Sequence, residues 1–452
     1  MQMHAKRGVS CVVRRYTAID RARWASTEAL TKDRFRIVVL GGGSGGLSVA
    51  QQLYNRFKVA GKPLQAGDIA VVDAAVYHDY QVGLLTLVGA GLKQKSMLRR
   101  PLAELIPSHI THIAENVASF DPAHNAVRTD AGRTLAYDAL VVATGLQVNF
   151  SAIEGLPKAL ADPSSGVSSI YSYQTCDKVW EDIDALRAGR AIFTQPQGVI
   201  KCAGAPQKIM WMAWDRYRTT SRGDQIKVDF FSGMPTMFAV KKYSDVLEAL
   251  RVERGVGGSF GHNLVSIDAA NRKAVFKNVA DGTESKEDYT LLHVTPPMGP
   301  LDVLKGSAIA DAAGWVDVDK STLQHVKPEY SNIFSLGDAS SLPTSKTAAA
   351  ITKQAPVLTE NLFHLMDSGK IGPAMYDGYT SCPLLTSYGE LLLAEFKYGL
   401  VPAESFANSI GDQATPRRVF YHLKKDFFPW VYFKYYVKGK WFGPSGLVRP
   451  KY

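Results

Sequence analysis

The chain has 452 residues, 46% of them hydrophobic and 21% charged, with a formal net charge of +10. That length and composition allow two or three buried cores and exclude a disordered or low-complexity chain. The first 34 residues carry +5 and residues 417–452 carry +8, so the intervening body is slightly negative and is not a nucleic-acid binder by charge.

Residues 1–33 contain Lys6, Arg7, Arg14, Arg15, Arg21 and Arg23, with only Asp20 and Glu28 as acids before Asp33. An Arg-rich, acid-poor leader without the apolar core of a secretory signal predicts a mitochondrial presequence, whose removal would take Cys11 with it. Arg36–Leu40 then reads as a short apolar strand. Gly41-Gly42-Gly43-Ser44-Gly45-Gly46 follows, and Leu47 to Phe57 has helical spacing. Ile69–Val72 is a second strand, ending in Asp73. Strand, glycines, helix, strand and acid in this order form a dinucleotide-binding fingerprint. Gly41, Gly43 and Gly46 permit the turn and close backbone approach, the helix N-terminus faces the pyrophosphate, and Asp73 takes the ribose hydroxyl.

Tyr137 to Val142 is a further strand, running into Ala-Thr-Gly at Gly145. Residues 150–290 predict a second α/β unit, with a strand at Arg190–Thr194, a turn at Gln197–Pro206 and a helix at Gln207–Arg218. A nicotinamide dinucleotide needs G-x-G-x-x-G at such a turn. Here the glycines, Gly198 and Gly204, stand six apart with Cys202 between them, and the next strand, Gln225–Phe231, lacks the ribose-binding acid. Two requirements for NAD(P)H are therefore missing. Asn332 to Leu336 is a strand ending in Gly337 and Asp338, and a helix is expected to start within Thr344–Ala350. That carboxylate suits the ribityl or pyrophosphate part of a flavin dinucleotide, and the free helix N–H groups suit the electron-rich edge of a reduced flavin. Together the motifs point to FAD.

The other cysteines are Cys176 and Cys382. So few in a long chain exclude a disulfide scaffold, and with no C-x-x-C no metal site is expected. His109 and His112 read as ordinary surface residues. Cys202 lies just ahead of a helix N-terminus, beside Lys201, where a thiolate is favoured. Lys208 falls in that helix's first turn, where a cation opposes the dipole. This fits either a local anion or, more ordinarily, a solvent-facing lysine. Pro383 biases Cys382 to extended geometry and suggests an exposed loop thiol. Cys176, after Thr175 at a helix start, reads as structural. Spacing alone does not bring residues 202 and 382 together.

Residues 201–210, 291–298, 314–319, 337–347 and 376–385 resemble the eukaryotic sulfide:quinone oxidoreductases, and the resemblance runs from about Arg36 to Gly443. It implies an α/β fold with two Rossmann-like domains of the FAD/NAD(P) glutathione-reductase type and a C-terminal membrane-contact region. The expected division is 34–150 with 285–370 for FAD, 151–284 for the domain carrying Cys202, and 371–452 for the C-terminal region. The resemblance further implies that Cys202 and Cys382 are a redox pair, joined through sulfur in the resting enzyme. Hydrogen sulfide would attack Cys382, leave a persulfide there and release Cys202 as a thiolate. A small thiol such as glutathione, or sulfite, would take the sulfane sulfur while electrons pass to FAD and then to ubiquinone. Ser44, Gly45, Asp73, Gln81, Val117, Asp338, Lys346, Thr347 and Ala348 match the family's flavin-proximal positions.

Residues 417–452 hold twelve aromatics and nine Lys/Arg but no apolar run long enough to span a bilayer. They predict an interfacial helix on anionic lipid, which the resemblance implies is the mitochondrial inner-membrane surface, the alternative being a tail packed on the flavin domain. Phe396 and Tyr398, with the tail aromatics, are candidates for a quinone slot. Two rival functions are a type II NADH:quinone oxidoreductase, which the altered turn disfavours, and a flavin-bound interaction protein without turnover, which the thiol pair disfavours.

Overall fold

The computed structural model describes residues 33–452. The expected presequence, apart from Asp33, and Cys11 lie outside the described residues. The central sheet is built on Arg34–Leu40, flanked in parallel by Ile69–Val72 and Thr134–Val142, with Val38 opposite both Ala70 and Leu140. Residues 37–40 have no exposed surface, as expected for a continuous apolar run covered on both faces. Thr111–Ile113 extends one edge. On the other side Thr134–Val142 serves two partners. Its first residues pair antiparallel with Ala126–Thr129, and its last three pair parallel with Ile333–Ser335. The chain thus leaves this sheet and returns nearly two hundred residues later, which brings Asp338 back beside the first glycine turn.

The helix Ser44–Val59 turns Leu47, Ala50, Leu53 and Phe57 onto the sheet at helical spacing. It packs closely because Gly46 has no side chain: a Cβ there would overlap the Gly41 carbonyl oxygen.

The second sheet is wholly parallel: Val167–Ser168, Leu291–His293, Gly189–Gln195, Ile226–Ser232 and Gly257–Phe260. It takes in Leu291–His293, beyond the expected end of that unit at residue 284. The helix Ala205–Thr219 covers it, burying Ile209, Met210, Trp211 and Ala213. A hairpin, Thr380–Ser387 with Glu390–Lys397, turns at Gly389 (φ +95°) and lays Cys382, Leu384, Leu392 and Ala394 into the same core. This hairpin carries the distant cysteine to the second unit. From Arg418 to Tyr436 the tail is a run of helical turns with two π-helical stretches, Leu423–Phe427 and Tyr432–Tyr436. No helix among the described residues is long and apolar enough to cross a membrane.

Candidate functional site

A cavity of about 510 Å³ runs between the first glycine turn, the second unit's turn and the tail. Its walls include Gly41, Gly43, Ser44, Gly45, Asp73, Gln81, Cys202, Lys208, Gly337, Asp338, Lys346, Thr347 and Ala348, so most of the expected site residues converge. Gly41 takes φ +98° and leaves no room for a Cβ against Ala143, whereas a Cβ at Gly43 would meet nothing. The helix Ser44–Val59 has no side-chain cap and no acid in its first turn, so its N–H groups are free for an anion. Asp73 accepts from the Gly42 N–H at 2.6 Å and from Ala75 at 2.8 Å, which fixes the carboxylate at the cavity wall. Across from it, burial raises the Asp338 carboxyl above its usual range despite Lys346 and Lys201 nearby. The helix Ala348–Ser368 starts where expected, capped by Thr347 Oγ1 accepting from the Ala350 N–H at 3.0 Å. An open phosphate cradle, a ribose-facing acid and a second helix start fit a flavin dinucleotide.

Some expected residues are not on the cavity wall. Val117 begins the strand Val117–Asp121 and is not on the cavity wall. Gly46 is buried behind the turn and serves helix packing. Phe396 is buried against Phe238 in the second core, while Tyr398 donates to the Lys320 carbonyl at 2.7 Å; neither reaches the cavity. The aromatics that do are Tyr80, Tyr379, Phe406, Phe427, Phe428 and Trp441, with Tyr432 and Tyr436.

Two N–H groups of the second turn are taken up inside the protein. The Gln197 N–H donates to Asn263 Oδ1 at 2.7 Å, and the Lys201 N–H points to Met298 sulfur at 3.3 Å. A Cβ at Gly233 would overlap Asn263 and Gln197, so the segments already touch. Cys202 sits at φ +56°, unusual for a non-glycine residue, with its N–H donating to the Lys346 carbonyl and its own carbonyl accepting from Ala205. That conformation turns the thiol toward the helix Ala205–Thr219. Cys382 comes from the hairpin and is 3% exposed, so it is extended as expected but buried, not a loop thiol. Gly204 makes room for it: a Cβ there would lie 2.6 Å from the Cys382 sulfur.

Lys208 joins the pair. It is fully buried, and its Nζ lies 3.3 Å from Cys202 Sγ and 3.6 Å from Cys382 Sγ. Its misplaced charge therefore has local anions, and the solvent-facing reading fails. Both cysteines are free thiols. Hydrogen bonding from Cys382 holds Cys202 well below the usual thiol range, aided by the charges of Lys208 and Lys424 against the cost of burial. The same hydrogen bond, with burial, holds Cys382 well above it. Burial opposes the Lys208 charge, but the two sulfurs outweigh it, so Lys208 remains an ammonium. The structure therefore shows the pair unlinked, unlike the sulfur-joined pair expected, and this reduced form favours a Cys202 thiolate, a Cys382 thiol and the Lys208 cation between them. Lys201 points elsewhere, donating to Gln81 Oε1 at 2.8 Å. Cys176 is buried in the first core with its thiol raised to about 11 by burial, as suits a packing residue. His109 stacks on Tyr54 and His112 binds the Asp73 carbonyl; no metal-holding cluster exists among the described residues.

The tail closes the dinucleotide end. Tyr432 hydroxyl lies 2.6 Å from Ser44 Oγ and 2.7 Å from His78 Nε2, and Tyr436 donates to the Ala348 carbonyl at 2.7 Å. Its other face leaves Val419, Phe427 and Trp430 exposed. One side of the tail packs on the first unit, and the other presents apolar and aromatic surface.

Residues 35–186 match the pyridine nucleotide-disulphide oxidoreductase family. The mitochondrial sulfide:quinone oxidoreductase of Schizosaccharomyces pombe is 47% identical over 95% of both chains. The mitochondrial sulfide:quinone oxidoreductase of Mus musculus is 40% identical over 92% of this chain and 89% of its own. The solved sulfide:quinone oxidoreductase of Aquifex aeolicus superposes with a TM-score of 0.70 at 19% identity, over 88% of this chain and 91% of that one, a likeness of fold. With nearly full-length relatives at this level of identity, the chain belongs to the sulfide:quinone oxidoreductase family.

Proposed function

We propose that this protein oxidises hydrogen sulfide at Cys202 and Cys382, holds FAD along the adjoining cavity and reduces ubiquinone. The observation that carries this reading is the convergence of two cysteines 180 positions apart on one buried lysine beside a dinucleotide cradle. Starting from the disulfide, the sulfur of hydrogen sulfide attacks Cys382 sulfur and gives up a proton; an S–S bond forms there and Cys202 leaves as a thiolate, which Lys208 stabilises. A small thiol or sulfite then attacks the outer sulfur, takes it away and leaves Cys382 as a thiolate. FAD supplies the two-electron acceptor that re-formation of the Cys202–Cys382 bond requires.

Several finer points belong to the same proposal. Gly41, Gly43, Ser44 and Gly45 hold the pyrophosphate, Asp73 the ribose, and Asp338 with Lys346–Ala348 the flavin end. Quinone enters among Phe406, Phe427 and Phe428 from a lipid surface that Val419, Phe427 and Trp430 rest upon, at the mitochondrial inner membrane. The FAD unit is residues 34–150 with the return segment to about 370, and the Cys202 unit extends to Leu291–His293.

The test is sulfide-dependent reduction of a short-chain ubiquinone by the full chain. Wild type should turn over and Cys202→Ser and Cys382→Ser should not; equal turnover in both variants overturns the reading. For the lipid contact, Trp430→Ser with Phe427→Ser should lower co-sedimentation with anionic vesicles, and unchanged binding would remove that part.

A further inference from the structure

One buried charge beside the thiols has no use in the scheme above. Lys424 stands on the first π-helical stretch of the tail, is 2% exposed, and its Nζ has no hydrogen-bond partner. An unpaired buried amine is costly, and such groups in native proteins point to a ligand or a reaction. The charged groups felt by it are Lys208 on the helix Ala205–Thr219, Cys202 on the turn and Cys382 on the hairpin. On its own stretch Lys425 and Asp426 pair with each other on the outer side, where Asp426 also meets His422 and Lys93. No carboxylate reaches Lys424 among the groups acting on it.

Two amines side by side in a dry site do not both keep a proton cheaply. Lys208 has two sulfur partners and keeps its own. Lys424 has none; burial and the Lys208 charge bring it down to about 7. Lys424 is buried within a π-helical stretch whose Leu423 and Phe427 line the cavity.

We propose that Lys424 is the general base that takes a proton from hydrogen sulfide as the sulfur attacks Cys382. This rests on the function proposed above. The step balances: one S–H bond breaks and Lys424 gains that proton, an S–S bond forms at Cys382, and the Cys202–Cys382 bond breaks. Neutral hydrogen sulfide and a neutral amine become a Cys382 persulfide, a Cys202 thiolate and a Lys424 ammonium, so the charge created on sulfur is matched on nitrogen within the site. A gas-like neutral substrate can enter this apolar cavity more readily than an anion, and the base inside makes it a nucleophile.

The test is anaerobic rapid mixing of sulfide with the FAD-loaded full chain, following flavin bleaching across pH. In wild type the rate should be bell-shaped about neutrality: the acid limb reports protonation of Lys424 and the alkaline limb ionisation of hydrogen sulfide. Lys424→Met should lose the bell, follow the hydrosulfide fraction, and run about 10²-fold slower at neutral pH. Lys424→Arg, which keeps the charge without a titratable lone pair, should behave like Lys424→Met. Lys424→Ala should be rescued by methylamine in proportion to its free base. A bell retained in Lys424→Met, a wild-type rate in Lys424→Arg, or no amine rescue in a Lys424→Ala protein with full FAD content overturns the proposal. Failure of wild type itself to bleach with sulfide would instead overturn the underlying function.

Discussion

The chain contains the same local device twice, and uses it for different chemistry. At Gly41–Gly46 and again at Gln197–Gly204 a parallel strand runs through a glycine turn into a helix. The first turn keeps its helix N-terminus open and its walls small, so phosphate fits. The second is filled by Asn263, Met298 and the backbone of Lys346, and its helix start faces a thiol and a buried lysine. A helix N-terminus that would favour a phosphate favours a thiolate equally well. On the proposed reading, one unit holds the cofactor and the other supports sulfur.

The sharpest way to break the comparison is to fill the first turn. Gly46→Ala places a Cβ into the Gly41 carbonyl, with the Val39 side chain also close by. We expect loss of about 3 kcal/mol or more of stability, with FAD content falling in parallel; thermal unfolding and the flavin absorbance read both. The second turn should fail in its chemistry instead. Lys208→Met removes the cation between the sulfurs, and sulfide-driven flavin reduction should fall about 10²-fold. Its pH signature has a definite sign. In reduced wild type, Cys202 should alkylate well below the ordinary thiol pKa of about 8.5, because its thiolate persists there, while Cys382 stays unreactive at that pH. Lys208→Met should move Cys202 reactivity upward in pH; an unchanged alkylation profile would contradict the assigned charges.

A smaller effect sharpens the role of the tail at the first turn. Tyr432→Phe deletes the hydroxyl shared by Ser44 and His78. About 1–2 kcal/mol should be lost, seen as faster FAD release on dilution with little change in the thiol profile. The smallest change is expected at Gly198. It has φ +94° but open space around it. Gly198→Ala should cost only about 1 kcal/mol of backbone strain, because no cofactor approaches that backbone; a large loss of activity would mean that a ligand does sit there.

What could be read from residues alone follows the same division. The turn at Gly41 to Gly46 and the strand ends at Asp73 and Gly337-Asp338 were legible as local structure, because a turn, a helix start and a strand end each leave a sequence pattern. The departure of the second turn was legible for the same reason. The meeting of Cys202 with Cys382 was not, since it depends on how a hairpin packs against the helix Ala205–Thr219; only family resemblance supplied it. Two local hints existed. Lys208 opposes its helix dipole, and Gly204 clears the space that Cys382 occupies. The exposure expected for Cys382 failed because Pro383 fixes extended backbone but says nothing of what packs over it. Phe396 and Tyr398 were aromatic and near Cys382 in sequence, yet strand alternation and the hairpin's packing send them away from the cavity. Lys424 gave no signal at all: one lysine in a basic, aromatic stretch looks like lipid contact until the tail is folded inward.

The central claim is that electrons enter through sulfur at the second turn and not through a nicotinamide. Anaerobic addition of sulfide, and separately of NADH, to the FAD-loaded full chain tests it most directly, read at the flavin absorbance band. The account predicts rapid bleaching by sulfide in wild type, none in Cys202→Ser or Cys382→Ser, and none by NADH in any of the three. Bleaching by NADH, or equal bleaching by sulfide in both serine variants, would contradict it.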